Sequence, residues 1–311
     1  MTPRASAVAA VFVANGLGGP SFLPRLPERQ AALGLSDAGL GLVLIGMAAG
    51  ALVASPAAGR AVERLGSRPV VVAAALALAA SLWTAGAAAE PAVLFVALAA
   101  IGAADATMDI AMNANGAALE RWSGRSIMHR LHGAWSLGAL AGAGLAAAAA
   151  GVGVPLTAQL AAVGAVIAVG VVVSRPGLMA ADAGGAAGPS AVPDEPAALG
   201  ASTVGDGRRF AVGDPERTAH GGSGRAGEPS VARHRRLGPL VVLAVATVGG
   251  AIIEGAPADW SAIRLDRMGA GPGVAALGFA AFMGGMLFGR LVGDHLTDRF
   301  GGASVLRGGM G

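Results

Sequence analysis

The sequence predicts an all-α membrane protein, a bundle of helices that crosses the bilayer several times. Of its 311 residues, 54% are hydrophobic and only 13% are charged, and the mean hydropathy is +0.63. A soluble domain carries about 25% charged residues. Apolar stretches of the length needed to cross the hydrocarbon core, about 20 residues, recur along the chain. These observations together indicate a polytopic membrane protein whose partner is the lipid bilayer.

The charge balance does not indicate nucleic acid as a partner. The net charge is +3 and the isoelectric point is about 11. However, the basic residues are spread over short segments between apolar spans, with few aromatic residues beside them. The chain has no cysteine, which excludes disulfides and thiolate metal sites.

Eight apolar spans are predicted in chain order. The first contains Asn15 within a Gly- and Pro-rich stretch that favours a bendable helix. Ser36 is a helix N-cap for the second, and Pro69 opens the third. The fifth carries Gly138 and Gly142, whose small-residue spacing lets helix backbones approach closely. The spans cover residues 5–23, 38–58, 70–89, 92–115, 132–151, 155–173, 237–258 and 274–292.

The composition changes between residues 174 and 236. This segment is rich in Gly, Ala, Pro, Ser and charged residues and has no apolar period, so we expect a disordered hydrophilic linker. It separates a six-helix bundle (1–173) from a partial second bundle of two spans (237–311).

The distribution of arginine predicts the orientation. Alternate loops place 18 of the 22 basic residues on the side that holds the N-terminus and the linker. The other side holds Arg25, Arg29, Arg264 and Arg267. By the positive-inside rule the N-terminus and the linker are cytoplasmic, in a multi-pass protein of the cell (inner) membrane.

The fourth span carries polar side chains at bilayer depth. At 100° per residue, Asp105, Asp109 and Asn113 fall within an arc of roughly 80°. An Asp at the centre of a membrane helix costs about 2.5–3.5 kcal/mol, whereas a Leu or Phe returns about 0.3–0.6 kcal/mol. We therefore expect this face to look into a protein interior or a hydrated cavity. Hydrogen bonding between helices and a transport role both remain open for it.

A charged turn pattern occurs twice. Glu63-Arg64-Leu65-Gly66 follows the second span, and Asp298-Arg299-Phe300-Gly301 follows the eighth. With Gly59 and Arg68, the first copy reads G-x-x-x-[DE]-R-x-G-x-R and is predicted as a turn over residues 59–68. Both copies lie at the same end of the second span of a group, as two parallel repeats require.

These residues resemble the loop signature of the major facilitator superfamily. Longer blocks resemble its MosC-like branch: FLPRLP, LGLSDAGLG, MDIAMNANGAALERWSGRSIMHRLHGAWSLGALAGAG, EGAPADWSAIRLDRMG and GRLVGDHLTDRFG. The resemblance implies twelve spans in two six-helix bundles, whereas eight are found here, so the sequence is interpreted as truncated after the eighth span. It also implies that Glu63, Arg64 and Arg68 latch the cytoplasmic ends of the bundles, with Asp298, Arg299 and Gly301 as the second copy. Ordinary positive-inside topology with a tight Gly66 turn is the alternative.

Further candidates for a substrate or proton pathway are Glu254 in the seventh span and His132 at the start of the fifth. For Glu254 the alternative is a partly hydrated residue at a cavity rim, and for His132 it is interfacial packing. Asn113 and Asn115 are also candidates for this pathway, with a gate or packing role as the alternative. Asp259 and Trp260 are expected to anchor the end of the seventh span.

The sequence thus predicts a secondary active transporter of a small polar organic solute, proton-coupled and working by alternating access. The alternative is a truncated membrane protein that does not transport and serves as a remnant, scaffold or sensor. No nucleophile set, nucleotide motif or metal-ligand spacing is found, so no enzyme, cofactor or metal is predicted. No protein partner is indicated.

Overall fold

A computed structural model describes residues 2–125, 127–180 and 255–300, with backbone alone at 290–298 and at 300. The described part is all α-helical apart from short turns and two 3₁₀ turns, Leu23–Arg25 and Arg175–Gly177. The helices are α1 (Pro3–Phe22), α2 (Leu26–Ala32), α3 (Asp37–Leu65), α4 (Ser67–Ala87), α5 (Pro91–Ser123), α6 (Met128–Gly151), α7 (Leu156–Ser174), α8 (helical over 255–267) and α9 (Pro272–Phe300).

Seven of the described helical segments are long and apolar enough to cross a membrane. They confirm the predicted membrane helix bundle and correspond to predicted spans one to six and eight. Span seven lies mostly outside the described residues, which resume at 255 within α8. Below, the side of the bundle that carries the N-terminus is called the proximal side, and the other the distal side.

The turn predicted over residues 59–68 is wrong in extent. Helix α3 continues to Leu65, and α4 begins at Ser67. Gly66 alone makes the reversal, with φ of 82°, a conformation that glycine adopts without the steric penalty of a Cβ. The segment between Gly59 and Gly66 consists of Arg, Ala, Val, Glu and Leu, which readily continue a helix.

Three further helices extend beyond their predicted spans. Helix α5 continues to Ser123 and ends at Gly124 in the left-handed conformation. Helix α9 continues through the second charged pattern to Phe300. Helix α8 continues past Asp259 and Trp260, so these residues lie within a helix and not at its end. In each case the helix continues through polar residues that follow the apolar span.

Helix α5 packs between α3 and α4, and α1 packs between α6 and α7. The crossings of α5 with α3 and of α6 with α1 are close enough to require glycine. A Cβ at Gly102 of α5 would lie 1.9 Å from the Met47 carbonyl oxygen of α3, and one at Gly138 of α6 would lie 2.3 Å from that of Val13 in α1. The predicted close approach of the fifth span is therefore confirmed at Gly138.

Helix α9 packs on α6. Phe279 and Ala280 are buried against Ala143 in a small apolar cluster. At the distal end a Cβ on Gly273 would lie 2.9 Å from the Gly151 Cα. This contact connects the segment after the predicted linker with the six N-terminal spans.

The outer face of the helices is apolar. Leu52 and Val53 of α3 are 77% and 78% exposed, and Val96 of α5 is 64% exposed. Such a surface is poorly suited to water and well suited to acyl chains.

Candidate functional site

The predicted polar face of α5 forms, and its two carboxylates differ in their surroundings. Asp105 is half-buried, and Asp109, one turn nearer the proximal side, is exposed. The Asn113 amide nitrogen donates to the Asp109 Oδ1 and to its carbonyl oxygen, at 3.0 Å each. The two carboxylates interact electrostatically.

Asp105 is tied to two other helices through Asn15 of α1. The Asn15 Nδ2 donates to the Asp105 Oδ1 at 2.9 Å, and the Trp135 Nε1 of α6 donates to the Asn15 Oδ1 at 2.8 Å. Asn15 is only 3% exposed. One buried amide therefore joins α5, α1 and α6 at the depth of the carboxylate.

His132 is exposed and lies within electrostatic reach of Asp109. Its Nδ1 is 3.1 Å from the Met128 carbonyl oxygen, and its ring makes an edge contact with Phe12, with centroids 5.5 Å apart. When Nδ1 carries hydrogen and donates to that carbonyl, Nε2 is left as the acceptor. The structure thus brings Asp105, Asp109, Asn113 and His132 to one region between α5 and α6.

Asn115 lies apart from this region. It is 1% exposed, and its amide nitrogen donates to the Ser67 hydroxyl and the Met179 carbonyl, at 2.9 and 3.0 Å. The Met179 N–H donates back to the Asn115 Oδ1 at 3.2 Å. These bonds tie α5 to the start of α4 and to the segment after α7.

The first charged pattern lies at the proximal side. Glu63 and Arg64 are exposed on the last turn of α3. Arg68 donates from Nε and a terminal nitrogen to the carbonyls of Arg175 and Pro176, at 2.8 Å each. Arg68 therefore holds the end of α7 within the same group of helices.

The remaining predicted site residues are only partly described. Gly59 lies within α3 and Arg299 is exposed in the last turn of α9. Asp298 is placed in that turn by its backbone, whereas Glu254 and Gly301 lie outside the described residues.

The chain that carries this carboxylate face and this charged pattern is similar in sequence to known proteins. The model of the Major Facilitator Superfamily matches residues 7–311. The chain belongs to this superfamily.

Three individual proteins are also similar to this chain. An uncharacterized MFS-type transporter of Yersinia pestis is 31% identical over 310 residues, which cover 96% of this chain and 67% of that protein. An uncharacterized transporter of Sinorhizobium fredii is 28% identical over 301 residues, covering 96% and 69% of the two chains. The membrane protein MosC of Rhizobium meliloti is 36% identical over 137 residues, covering 44% of this chain and 34% of MosC.

These matches confirm the predicted resemblance, including that to MosC. The chain is a multi-pass membrane protein of a transporter superfamily. The carboxylate face of this superfamily member lies on α5, a helix long and apolar enough to cross the membrane, which corresponds to the predicted fourth span.

Two polar groups of this superfamily member were not predicted as site residues. Asn15 was interpreted only as an interruption of the first span, although an amide in the middle of an apolar helix is itself a signal of a buried partner. Arg25 was assigned to a short loop, whereas it is 4% exposed and bonded to Glu28 and Gln159. Its position just after an apolar span gave no indication of that burial.

Proposed function

We propose that this chain is a proton-coupled secondary active transporter that moves a small polar organic solute by alternating access. The observation that carries the proposal is the carboxylate pair of α5. Asp105 is tethered and half-buried within a membrane-spanning helix, and Asp109 is open one turn away.

The proton is supported by the composition of this region. Carboxylates at membrane depth are characteristic of proton relays, and an imidazole ring has two nitrogens through which hydrogen bonds can pass. Asp105 and Asp109 interact with each other, and Asp109 interacts with His132. Asp109 thus lies within electrostatic reach of both other groups, between the middle of α5 and the start of α6.

A small polar solute is supported by the amide and carboxylate groups beside them. Asn113 presents an amide next to Asp109, and the carboxylates supply acceptors for hydroxyl or amine hydrogens. Glu254, in the predicted seventh span, is proposed as a further acid of the pathway.

Alternating access is supported by a difference between the two sides of the bundle: helices are in contact on the distal side, and polar residues are exposed nearer the proximal side. On the distal side Gly151 of α6 contacts Gly273 of α9, and Arg267 of α8 forms an ion pair with Asp37 of α3. Nearer the proximal side Asp109 and His132 are exposed. This arrangement is what a state closed distally and open proximally requires.

We further propose that the proximal side is cytoplasmic, as the arginine distribution predicts. Glu63, Arg64 and Arg68 would then form the cytoplasmic latch together with Asp298, Arg299 and Gly301. The support for this role is the repeated charged pattern, whose first copy lies exposed at the proximal end of α3.

The test is solute-driven proton movement in proteoliposomes that contain the purified chain and a trapped pH-sensitive dye. Polyols, sugars, amino acids, amines and small carboxylates are added in turn to the outside. We expect at least one class to change the internal pH, and the Asp105→Asn/Asp109→Asn double variant to abolish the change. Asp266→Asn is the matched control, because Asp266 is exposed at the end of α8, away from the pathway.

Folding of each variant is checked by its unfolding midpoint in detergent. A double variant that moves protons with solute as the parent does would contradict the role of the α5 face. No proton movement or solute flux by the folded parent would favour the alternative, a membrane protein that does not transport.

A further inference from the structure

The amide of Asn15 uses its two ends for different partners. Its Nδ2 donates to the Asp105 Oδ1, and its Oδ1 accepts from the Trp135 Nε1. Because Asn15 is 3% exposed, water is poorly placed to substitute for either partner. The direction of each hydrogen bond among Trp135, Asn15 and Asp105 is therefore fixed by what each group can donate or accept.

Trp135 determines which way the amide points. An indole N–H is a donor only. If the Asn15 amide turned over, its NH₂ group would face the indole N–H and both donors would lose their acceptor, a cost of about 1–3 kcal/mol for each buried group. Trp135 consequently keeps the Asn15 NH₂ directed at Asp105.

This order restricts where a proton can sit on Asp105. Oδ1 faces an amide donor and must remain an acceptor. A proton taken up by the carboxylate therefore belongs on Oδ2, the oxygen that does not accept from Asn15.

Trp135 also lies beside α9, the last described helix. With Ser136 and Ala139 it lines a small pocket against Met283, Met286 and Leu287 of α9. On its other side Trp135 lies at the close crossing of α6 with α1, because a Cβ on Gly16 would lie 2.2 Å from the Trp135 carbonyl oxygen. The indole that orients Asn15 therefore lies between the α1–α6 crossing and the side of α6 that faces α9.

We propose that Asn15 and Trp135 are positioning residues for Asp105, through which the indole on α6 fixes the amide that holds the carboxylate on α5. This inference deepens the proposed function and rests on it for its meaning in transport. The linkage itself is a property of the folded chain, so it can be measured without any solute.

The first experiment is a double-mutant cycle between Trp135→Phe and Asp105→Leu, with the unfolding midpoint in detergent as the readout. Phe keeps an aromatic ring but removes the N–H, and Leu keeps the approximate volume of Asp but removes both oxygens. The Asn15 amide is hydrogen-bonded to both residues, so we expect a non-additive shift of about 2–4 °C. In an Asn15→Leu background the two changes should add.

The matched control replaces Asp105→Leu by Asp109→Leu in the same cycle. Asp109 is bonded to Asn113 and not to Asn15, so its effect should add to that of Trp135→Phe. Additivity of the Trp135 and Asp105 changes in the parent would overturn the proposal. Coupling that persists with Leu at position 15 would also overturn it, because packing alone would then explain the effect.

A second measurement covers the case in which Asn15→Leu does not fold. In a variant with Trp135 as its single tryptophan (Trp83, Trp122 and Trp260 changed to Phe), resonance Raman bands report the hydrogen bonding of the indole N–H. Asp105→Leu should alter these bands, and Asp109→Leu should not. Unchanged bands in Asp105→Leu would refute the linkage, whereas altered bands without any solute-driven proton movement would mean that the proposed function fails and the linkage stands.

Discussion

Arg25 and Glu28 form a two-point ion pair at the distal end of α1. The Arg25 Nε and one terminal nitrogen each lie 2.6 Å from a Glu28 carboxylate oxygen. The other terminal nitrogen donates at 2.7 Å to the Gln159 Oε1 of α7, whose own amide nitrogen donates to the Ser21 carbonyl. Since the Arg25 side chain is 4% exposed, this pair determines how α1, α2 and α7 meet.

Glu28→Gln is expected to destabilise the protein by about 3 kcal/mol, because the buried Arg25 guanidinium loses its counter-charge. The measurement is the free energy of unfolding in detergent. Glu63→Gln is the matched control and should change that free energy little, because Glu63 is exposed. A Glu28→Gln protein as stable as the Glu63→Gln protein would show that the pair does not hold the helices.

Gly102→Ala is expected to destabilise the crossing of α3 and α5 by about 3 kcal/mol or more, at the upper end of overpacking effects. The added Cβ would lie 1.9 Å from the Met47 carbonyl oxygen, and backbone cannot move aside as a side chain can. Gly144→Ala is the control, because no atom lies within 4 Å of a Cβ there. It should leave stability unchanged or raise it slightly, since Ala favours helix over Gly. Equal unfolding free energies for the two variants would contradict the close crossing.

Cysteines at positions 151 and 273 are expected to form a disulfide under mild oxidation. A Cβ on residue 273 would lie 2.9 Å from the Cα of residue 151, and a Cβ on residue 151 would lie 3.8 Å from the Cα of residue 273. The two backbones are therefore close enough for a disulfide once the helices move slightly apart to reach its geometry. The chain has no native cysteine, so the bond can be identified by mass spectrometry without background. Cysteines at 144 and 273 are the control and should remain reduced. If the proposed alternating access is correct, the oxidised 151/273 protein should not transport and reduction should restore transport.

Much of the fold could be predicted from the sequence because apolar length alone determines where a chain crosses a membrane. The helix ends could not, since polar residues such as those between Gly59 and Gly66 continue a helix once it has left the apolar region. The reversal at Gly66 depends on a single backbone conformation, which a pattern of residue types does not locate.

The candidate site was predicted in part for a similar reason. Asp105, Asp109 and Asn113 share a face through helical periodicity, which is a local property. The other members of the hydrogen-bonded group, Asn15 and Trp135, come from other helices. Asn15 is 90 positions from Asp105 in the sequence, and Trp135 is 120 positions from Asn15. No local pattern in the sequence records those crossings.

The most direct test of the account measures whether water reaches the carboxylate face of α5. A single cysteine is placed at Asp109 or, as the control, at Val96 on the apolar face of the same helix, and each reacts with a membrane-impermeant maleimide in membranes open on both sides. Both positions are exposed in the folded chain, but only a thiol in contact with water forms the reactive thiolate. We predict that the cysteine at 109 reacts on the order of tenfold faster or more than the one at 96. A cysteine at 109 that reacts no faster than the one at 96 would place these acids against lipid or in a dry contact, and would contradict the transport pathway.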